Sequence, residues 1–125
     1  MNTVTLLVVE DEAVILVDIE SALEDAGFAV ISAYNGAQAL TLLESEGEKI
    51  VGLVTDIRVG PGPNGWEIAH KARELNPDIP IVYMSGDSAR DWPVEGVPNS
   101  LMIPKPFATA QVVTAISSLL NKGAG

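Results

Sequence analysis

The sequence of 125 residues contains no cysteine, one histidine, and only seven lysine and arginine residues. Without cysteine there are no disulfides, zinc–thiolate sites or cysteine nucleophiles, and the composition suits a reducing cytosol. Seventeen acidic residues bring the net charge to −10. Such a surface repels phosphate backbones and anionic membranes, so we expect no nucleic-acid and no membrane partner.

The chain also lacks an apolar run long enough to span a bilayer, and its first residues, Met1-Asn2-Thr3, lack the positive charge of a signal peptide. We therefore expect a cytoplasmic protein. Hydrophobic residues make up 47% of the chain, which argues against disorder. The length predicts one domain. We place that domain at residues 1–121 and expect a flexible carboxyl-terminal tail at 122–125.

Five short apolar runs rich in Val, Ile and Leu alternate with helical patterns. Continuous rather than alternating runs are typical of parallel strands that are covered on both faces. The sequence therefore predicts an α/β fold, a five-stranded parallel sheet with helices on both faces. The predicted strands are Val4–Val9, Ala29–Ala33, Ile50–Thr55, Ile81–Met84 and Ser100–Ile103. The predicted helices are Ala13–Ala26, Gly36–Glu46, Trp66–Leu75 and Ala108–Leu120, with an irregular stretch, Ser88–Val97, that Pro93 and Gly96 interrupt.

Polar residues follow four of these strands, at the edge where open parallel sheets bind ligands. They are Glu10-Asp11-Glu12, Asp56, Ser85 and Lys105. Carboxylates that converge there repel one another and need a cation. An all-oxygen ligand set favours Mg²⁺.

Each of these residues also has a purely structural interpretation. The acidic triplet is typical of the start of a helix, where the helix dipole favours acids. Ser85 is typical of a turn. Asp56 is different, because it closes a buried apolar run where an uncompensated carboxylate is costly. Lys105 lies between two prolines and is positioned to pair with Asp56 or with an added phosphoryl oxygen.

Taken together, these residues resemble a bacterial two-component response-regulator receiver domain of the stand-alone, single-domain type. The spacings of 45 residues from Asp11 to Asp56, 29 to Ser85 and 20 to Lys105 are close to those of the family. The matching motifs are Val8-Val9-Glu10-Asp11-Glu12, Val54-Thr55-Asp56-Ile57, Asn64-Gly65, Met84-Ser85-Gly86 and Lys105-Pro106-Phe107. The resemblance implies a flavodoxin-like sheet with strand order 2-1-3-4-5.

The resemblance also implies the chemistry of the site. Asp56 accepts a phosphoryl group from a sensor histidine kinase or phosphotransfer protein, and Ser85 and Lys105 bind the phosphoryl oxygens. Asp11, Asp56 and the Arg58 backbone carbonyl ligate Mg²⁺ directly, while Glu10 acts through water. The protein then signals to an unknown downstream protein. It is not an enzyme apart from self-catalysed phosphotransfer and dephosphorylation at Asp56, and no cofactor other than Mg²⁺ is implied.

Two alternatives remain: a degenerate receiver that binds partners without phosphorylation, and a Mg²⁺-dependent aspartyl phosphohydrolase. Asp56-Ile57-Arg58 argues against the hydrolase, because common aspartyl phosphatases have a second acid two residues after the nucleophile.

Three features depart from the family pattern. The loop after Asp56 is one residue longer and contains Gly60-Pro61-Gly62-Pro63. Met102 stands where many members have an aromatic residue that moves on activation. Because a flexible methionine is a poor two-position switch, we expect the signal to pass through the Ser88–Pro98 segment instead. The resemblance further implies a cis Lys105-Pro106 bond.

Two aromatic residues and the single histidine have ordinary explanations. We interpret His70 as a solvated or half-packed residue rather than a phosphorelay or metal residue. Trp66 and Trp92 are expected to pack, Trp66 at a helix start and Trp92 under the irregular segment, with a partner contact as the alternative for Trp92.

Overall fold

The computed structural model describes residues 3–124 and contains a parallel sheet flanked by helices. The strand order is β2-β1-β3-β4-β5, and every neighbouring pair is parallel, which confirms the predicted fold. Within these residues no helix combines the length and apolar character needed to cross a membrane. The elements are β1 (Thr5–Val9), α1 (Ala13–Asp25), β2 (Ala29–Ala33), α2 (Gly36–Glu46), β3 (Ile50–Asp56), α3 (Gly65–Leu75), β4 (Ile81–Ser85), a 3₁₀ turn (Ala89–Asp91), α4 (Trp92–Glu95), β5 (Leu101–Pro104) and α5 (Thr109–Ala124).

The core lies on both faces of the sheet, because successive side chains of a strand point to opposite sides. In β1, Leu6 and Val8 pack with α1 and α5, whereas Leu7 and Val9 pack with α2 and α3. All four side chains are fully buried. The continuous apolar runs of the sequence are therefore strands covered on both faces, as predicted.

Several predicted boundaries differ from the structure, most of them by one residue. The last helix was expected to end near Asn121 but continues to Ala124. A single glycine, Gly123, costs a helix only about 1 kcal/mol and does not have to stop it. The flexibility of residues 122–125 stays a prediction, and Gly125 lies outside the described residues, as do Met1 and Asn2. The final strand begins at Leu101 rather than Ser100, and the Ser100 hydroxyl donates to the Val97 carbonyl in the preceding turn.

The start of α3 is pressed against the end of β3, and this contact positions the carboxyl edge of the sheet. Asn64 caps the helix through a capping box with Glu67: each residue's side chain accepts the other's backbone N–H, at 3.0 and 3.1 Å. The Gly65 N–H donates to the Ile57 carbonyl at 2.8 Å. A Cβ at Gly65 would collide with the Asp56 carbonyl oxygen, so the close approach requires glycine.

This contact generates the first prediction. Gly65→Ala should lower the free energy of unfolding by about 2 kcal/mol, because the added methyl meets backbone atoms that cannot rotate away. Gly86→Ala is the matched control, since a Cβ there has no neighbour within 4 Å, and it should change stability by less than about 0.5 kcal/mol. Urea denaturation measures both values. Equal stability of the two variants would contradict the packing described here.

Candidate functional site

The predicted polar residues meet at one edge of the sheet, because all five parallel strands end there. Asp11 follows β1, Asp56 ends β3, and Ser85 ends β4. Lys105 follows β5, and its backbone N–H donates to the Ser85 carbonyl at 2.7 Å.

The Lys105 ammonium lies between two carboxylates. Its Nζ is 2.7 Å from Asp56 Oδ2 and 3.0 Å from Glu10 Oε1. Burial opposes the charge on Lys105, yet the hydrogen bonds and charges of Asp56 and Glu10 outweigh burial and raise the pKa of Lys105. The sequence indicated the pairing with Asp56 but missed the one with Glu10. No local pattern links two residues that lie 95 positions apart.

Glu10 is fully buried, which explains why it needs these partners. Burial raises the pKa of Glu10 to about 7, although the Glu12 N–H and Lys105 act in the opposite direction. Glu10 Oε2 accepts the Glu12 N–H at 3.0 Å, at the first residue of the turn into α1. Glu12 itself makes no side-chain cap on α1. The acidic triplet is therefore more than a helix start.

A third carboxylate, Asp11, completes an acidic cluster. One carboxylate oxygen from each of Glu10, Asp11 and Asp56 lies within 4.8 Å of the other two. Only Asp11 is exposed. Lys105 pairs with two of the three acids, so the donor set is all oxygen and carries excess negative charge. These properties fit a hard divalent cation such as Mg²⁺.

Asp56 is held in place on both of its oxygens. Oδ1 accepts the Ile57 N–H at 2.7 Å, while Oδ2 faces Lys105. The side chain is almost completely buried at the end of an apolar strand. The orientation of Asp56 is therefore set by residues that follow two different strands, β3 and β5.

The Ser85 hydroxyl is engaged in the turn that follows β4. Its Oγ accepts the backbone N–H groups of Asp87 at 3.2 Å and Ser88 at 2.7 Å. This is the turn role that the sequence allowed. The phosphoryl-binding role of Ser85 stays a prediction.

An ion pair that the sequence analysis missed links the loops after β3 and β4. Arg58 Nε lies 2.9 Å from Asp87 Oδ2, and the Ser88 hydroxyl donates to Asp87 Oδ1 at 2.9 Å. Both charged side chains are mostly exposed, so the pair contributes little to stability. The sequence signal that could have indicated this ion pair is Asp87, an acid two residues after Ser85. The contacts of Arg58 described here involve its side chain, and the ligand role of its carbonyl stays a prediction.

The glycine- and proline-rich loop after β3 has the distinct shape that its sequence indicated. Gly60 and Gly62 have φ angles of +83° and +98°, which favour glycine. A Cβ at Gly60 would lie 4.0 Å from Asp11 Oδ2, so this loop passes directly beside the acidic cluster.

The remaining expectations concern residues around the site. The Lys105-Pro106 bond is cis, as expected. Trp66 is buried, and Trp92 is half-buried with its Nε1 donating to Ser100 Oγ at 2.9 Å, so both tryptophans pack as expected. The His70 side chain is exposed, with Nε2 3.1 Å from the Glu95 carbonyl oxygen.

Comparisons with known proteins agree with this geometry. The family model described as "Response regulator receiver domain" matches residues 6–117. A crystal structure of a response regulator receiver protein from Sinorhizobium medicae WSM419 is 50% identical, with a TM-score of 0.91 and 95% of each chain covered. Sensor kinase CckA of Brucella abortus is 32% identical over 97% of this chain and 13% of its own length. Transcriptional regulatory protein CusR of Escherichia coli K12 is 31% identical over 95% of this chain and 52% of its own length.

This chain thus spans about half, or less, of the curated relatives it matches. The matched residues include every strand of the sheet except the first residue of β1, together with all the polar residues of the edge. The chain belongs to the response regulator receiver domain family.

Proposed function

We propose that the protein is a phosphorylation-controlled receiver in which Asp56 accepts a phosphoryl group from a phosphohistidine. The observation that carries this proposal is the Asp56 carboxylate itself, buried at a strand end and oriented by the Ile57 N–H and Lys105. In the reaction, an Asp56 oxygen forms a bond to phosphorus and the bond from phosphorus to the histidine nitrogen breaks. Phosphoryl transfer requires mainly positioning and charge neutralisation, which this edge of the sheet supplies.

Lys105 serves both ends of this reaction. Before transfer its ammonium orients Asp56, and after transfer it is within reach of a phosphoryl oxygen. Glu10 accepts from the same ammonium at 3.0 Å and limits how far Lys105 moves. Ser85 supplies a hydroxyl to the same group once it releases the turn amides.

Receiver domains bind Mg²⁺ at an acidic pocket, and the donor set here fits it. We assign Asp11 and Asp56 as direct ligands, with the Arg58 carbonyl as a third and Glu10 acting through water. The ion, when bound, offsets the charge that develops on the phosphoryl oxygens.

Phosphorylation should depend on Asp56 alone. Acetyl phosphate with Mg²⁺ should add one phosphoryl group per chain, seen by intact-mass spectrometry, and Asp56→Asn should add none. Asp91→Asn is the matched control on the exposed 3₁₀ turn and should label like the parent.

The same measurement separates the alternatives. Full labelling of Asp56→Asn would overturn the assignment. No labelling of the parent would favour a degenerate receiver, and many turnovers of a phosphorylated substrate would favour a phosphohydrolase.

Metal binding should depend on Asp11. Without metal, Asp11→Asn should raise the free energy of unfolding by about 1 kcal/mol, the repulsion in water between charges roughly 5 Å apart. With Mg²⁺ at a hundredfold excess over Kd, the parent should gain about 2.7 kcal/mol. The variant should gain less by about 1.4 kcal/mol or more, which corresponds to at least tenfold weaker binding.

Urea denaturation with and without Mg²⁺ measures these values. Glu48→Gln, an exposed acid in the turn before β3, is the control and should match the parent. An Asp11→Asn variant with the parent's full Mg²⁺ response would refute the ligand assignment.

Receiver domains partner with histidine kinases or phosphotransfer proteins, and we propose that this donor docks on α1. Val14 and Val17 of α1 are 76% and 56% exposed and lie three and six residues after Asp11. Beside them is a pocket of about 380 Å³ between α1 and the segment after β5, lined by Ile15, Asp18, Ile19, Lys105, Pro106, Phe107 and Thr109. A phosphohistidine can reach Asp56 only if its protein covers the surface around the site, and this apolar surface adjoins Lys105. We further propose that the protein acts in the cytoplasm, where phosphoryl donors that use ATP are found.

A charge on this surface should slow transfer from a protein but not from a small molecule. Val14→Glu should reduce the rate from a phosphorylated histidine kinase domain tenfold or more, the loss expected when one valine is no longer buried at the interface. The acetyl phosphate rate should stay within about twofold of the parent. Val94→Glu on α4, at an 84% exposed position, is the matched control. An equal loss of the kinase transfer rate in both variants would show that the donor docks on another surface.

A further inference from the structure

The segment from Gly86 to Ser100 connects β4 to β5, and two hydroxyl groups of β4 hold its ends. At the front, Ser85 Oγ accepts the N–H groups of Asp87 and Ser88. At the back, the Tyr83 hydroxyl accepts the Val97 N–H at 3.1 Å. Ser85 and Tyr83 are two residues apart on one strand and are both buried.

The back half of the segment, residues 92–100, is held together by hydrogen bonds. The Ser100 hydroxyl donates to the Val97 carbonyl at 2.6 Å and accepts from Trp92 Nε1. Tyr83 is fully buried, and its ring meets Trp66 edge-on with centroids 4.7 Å apart. Trp92, Val97 and Ser100 are therefore tied to one another and to a rigid part of the core.

Helix α3 adds further contacts to this back half. His70 Nε2 lies 3.1 Å from the Glu95 carbonyl oxygen. The Arg73 guanidinium donates to the Pro98 carbonyl at 2.6 Å and to the Ile79 carbonyl at 2.8 Å. None of these contacts involves the acidic site.

The front half of the segment, residues 86–91, depends on groups of the site itself. Its two amides rest on the hydroxyl that the proposed function turns toward a phosphoryl group. A second link to the sheet edge is the exposed Arg58–Asp87 ion pair, which water and salt weaken. The two halves of the segment therefore differ in what phosphorylation can disturb.

We propose that Tyr83 is a positioning residue that confines the response to phosphorylation to Gly86–Asp91 and keeps Trp92–Ser100 in place. This inference rests on the proposed function and narrows the moving part of the Ser88–Pro98 segment to its front. The surface that a downstream partner reads is then the loop and 3₁₀ turn beside Asp87, while α4 is a fixed neighbour.

The parent protein tests the inference directly. Beryllofluoride with Mg²⁺, a mimic of the phosphoryl group, should shift the backbone amide resonances of Asp56, Ser85 and Gly86–Asp91. Hydrogen-exchange protection of the Asp87 and Ser88 amides should fall about tenfold as their acceptor leaves. The Val97 amide and the Trp92 indole N–H should stay within about twofold of their unliganded protection.

Tyr83→Phe removes the hydroxyl and keeps the ring. Without any ligand, protection of the Val97 amide should fall about tenfold, whereas that of Ser88 should not change. With beryllofluoride, the shifts should now spread through Val97 to the Trp92 indole. Tyr34→Phe, at the other tyrosine of the chain and 54% exposed, is the matched control and should behave like the parent.

Each outcome bears on a distinct claim. Shifts in the parent as large at Val97 and Trp92 as at Ser88 would overturn the inference, even if Tyr83→Phe failed to fold. Confinement that persists in Tyr83→Phe would also overturn it. Absence of any response at Asp56 and Ser85 would overturn the proposed function and the inference with it, whereas the ligand-free loss at Val97 would still show that Tyr83 anchors the back half.

Discussion

The site depends on one interaction, the Lys105 ammonium between Asp56 and Glu10. Glu10 is fully buried and Asp56 nearly so, and two such carboxylates cannot lie side by side without a cation because their repulsion and desolvation both oppose folding. The ammonium arrives from β5, the edge strand farthest along the sheet from β2. Ion pairing therefore joins β1, β3 and β5 at one edge, and the pairing of β4 with β5 carries Lys105 to its place.

The same interaction leaves the site short of positive charge. One ammonium cannot offset three carboxylates, and a phosphoryl group on Asp56 adds more negative charge. A divalent cation therefore offsets the negative charge of the site both before and after phosphoryl transfer. The charge to be offset is greatest after transfer. Because Glu10 also pairs with Lys105, the ammonium keeps one partner while, under the proposed function, its other partner changes from a carboxylate to a phosphoryl oxygen. Glu10, which the sequence analysis placed at the Mg²⁺ site through water, thus also has a positioning role under the proposed function.

Much of this arrangement was predictable because it follows from strand ends. The apolar run Ile50–Thr55 indicated a buried strand. A carboxylate at its end is costly without a compensating partner, which indicated a functional site. What the sequence did not reveal are contacts between residues that look ordinary by themselves. Tyr83 reads as one more member of an apolar strand, yet its hydroxyl anchors Val97 fourteen positions away. Arg73 reads as a surface residue of a helix, yet it holds three carbonyl groups of two connections. Such contacts depend on which elements the fold brings together, and the local sequence pattern does not indicate them.

Met102, at the position where many family members have an aromatic residue, lies among aromatic side chains. Met102 pairs with Tyr83 in the β4–β5 register and packs on the same core cluster as Trp66 and Trp92. Three aromatic rings already fill that side of the sheet, and Tyr83 and Trp66 are in direct edge contact. A flexible methionine adapts to the irregular space beside such rings. Tyr83 and Trp92 hydrogen-bond to the β4–β5 connection at Val97 and Ser100. Under the proposed anchoring role of Tyr83, a response at Asp87 and Ser88 requires no aromatic residue at position 102.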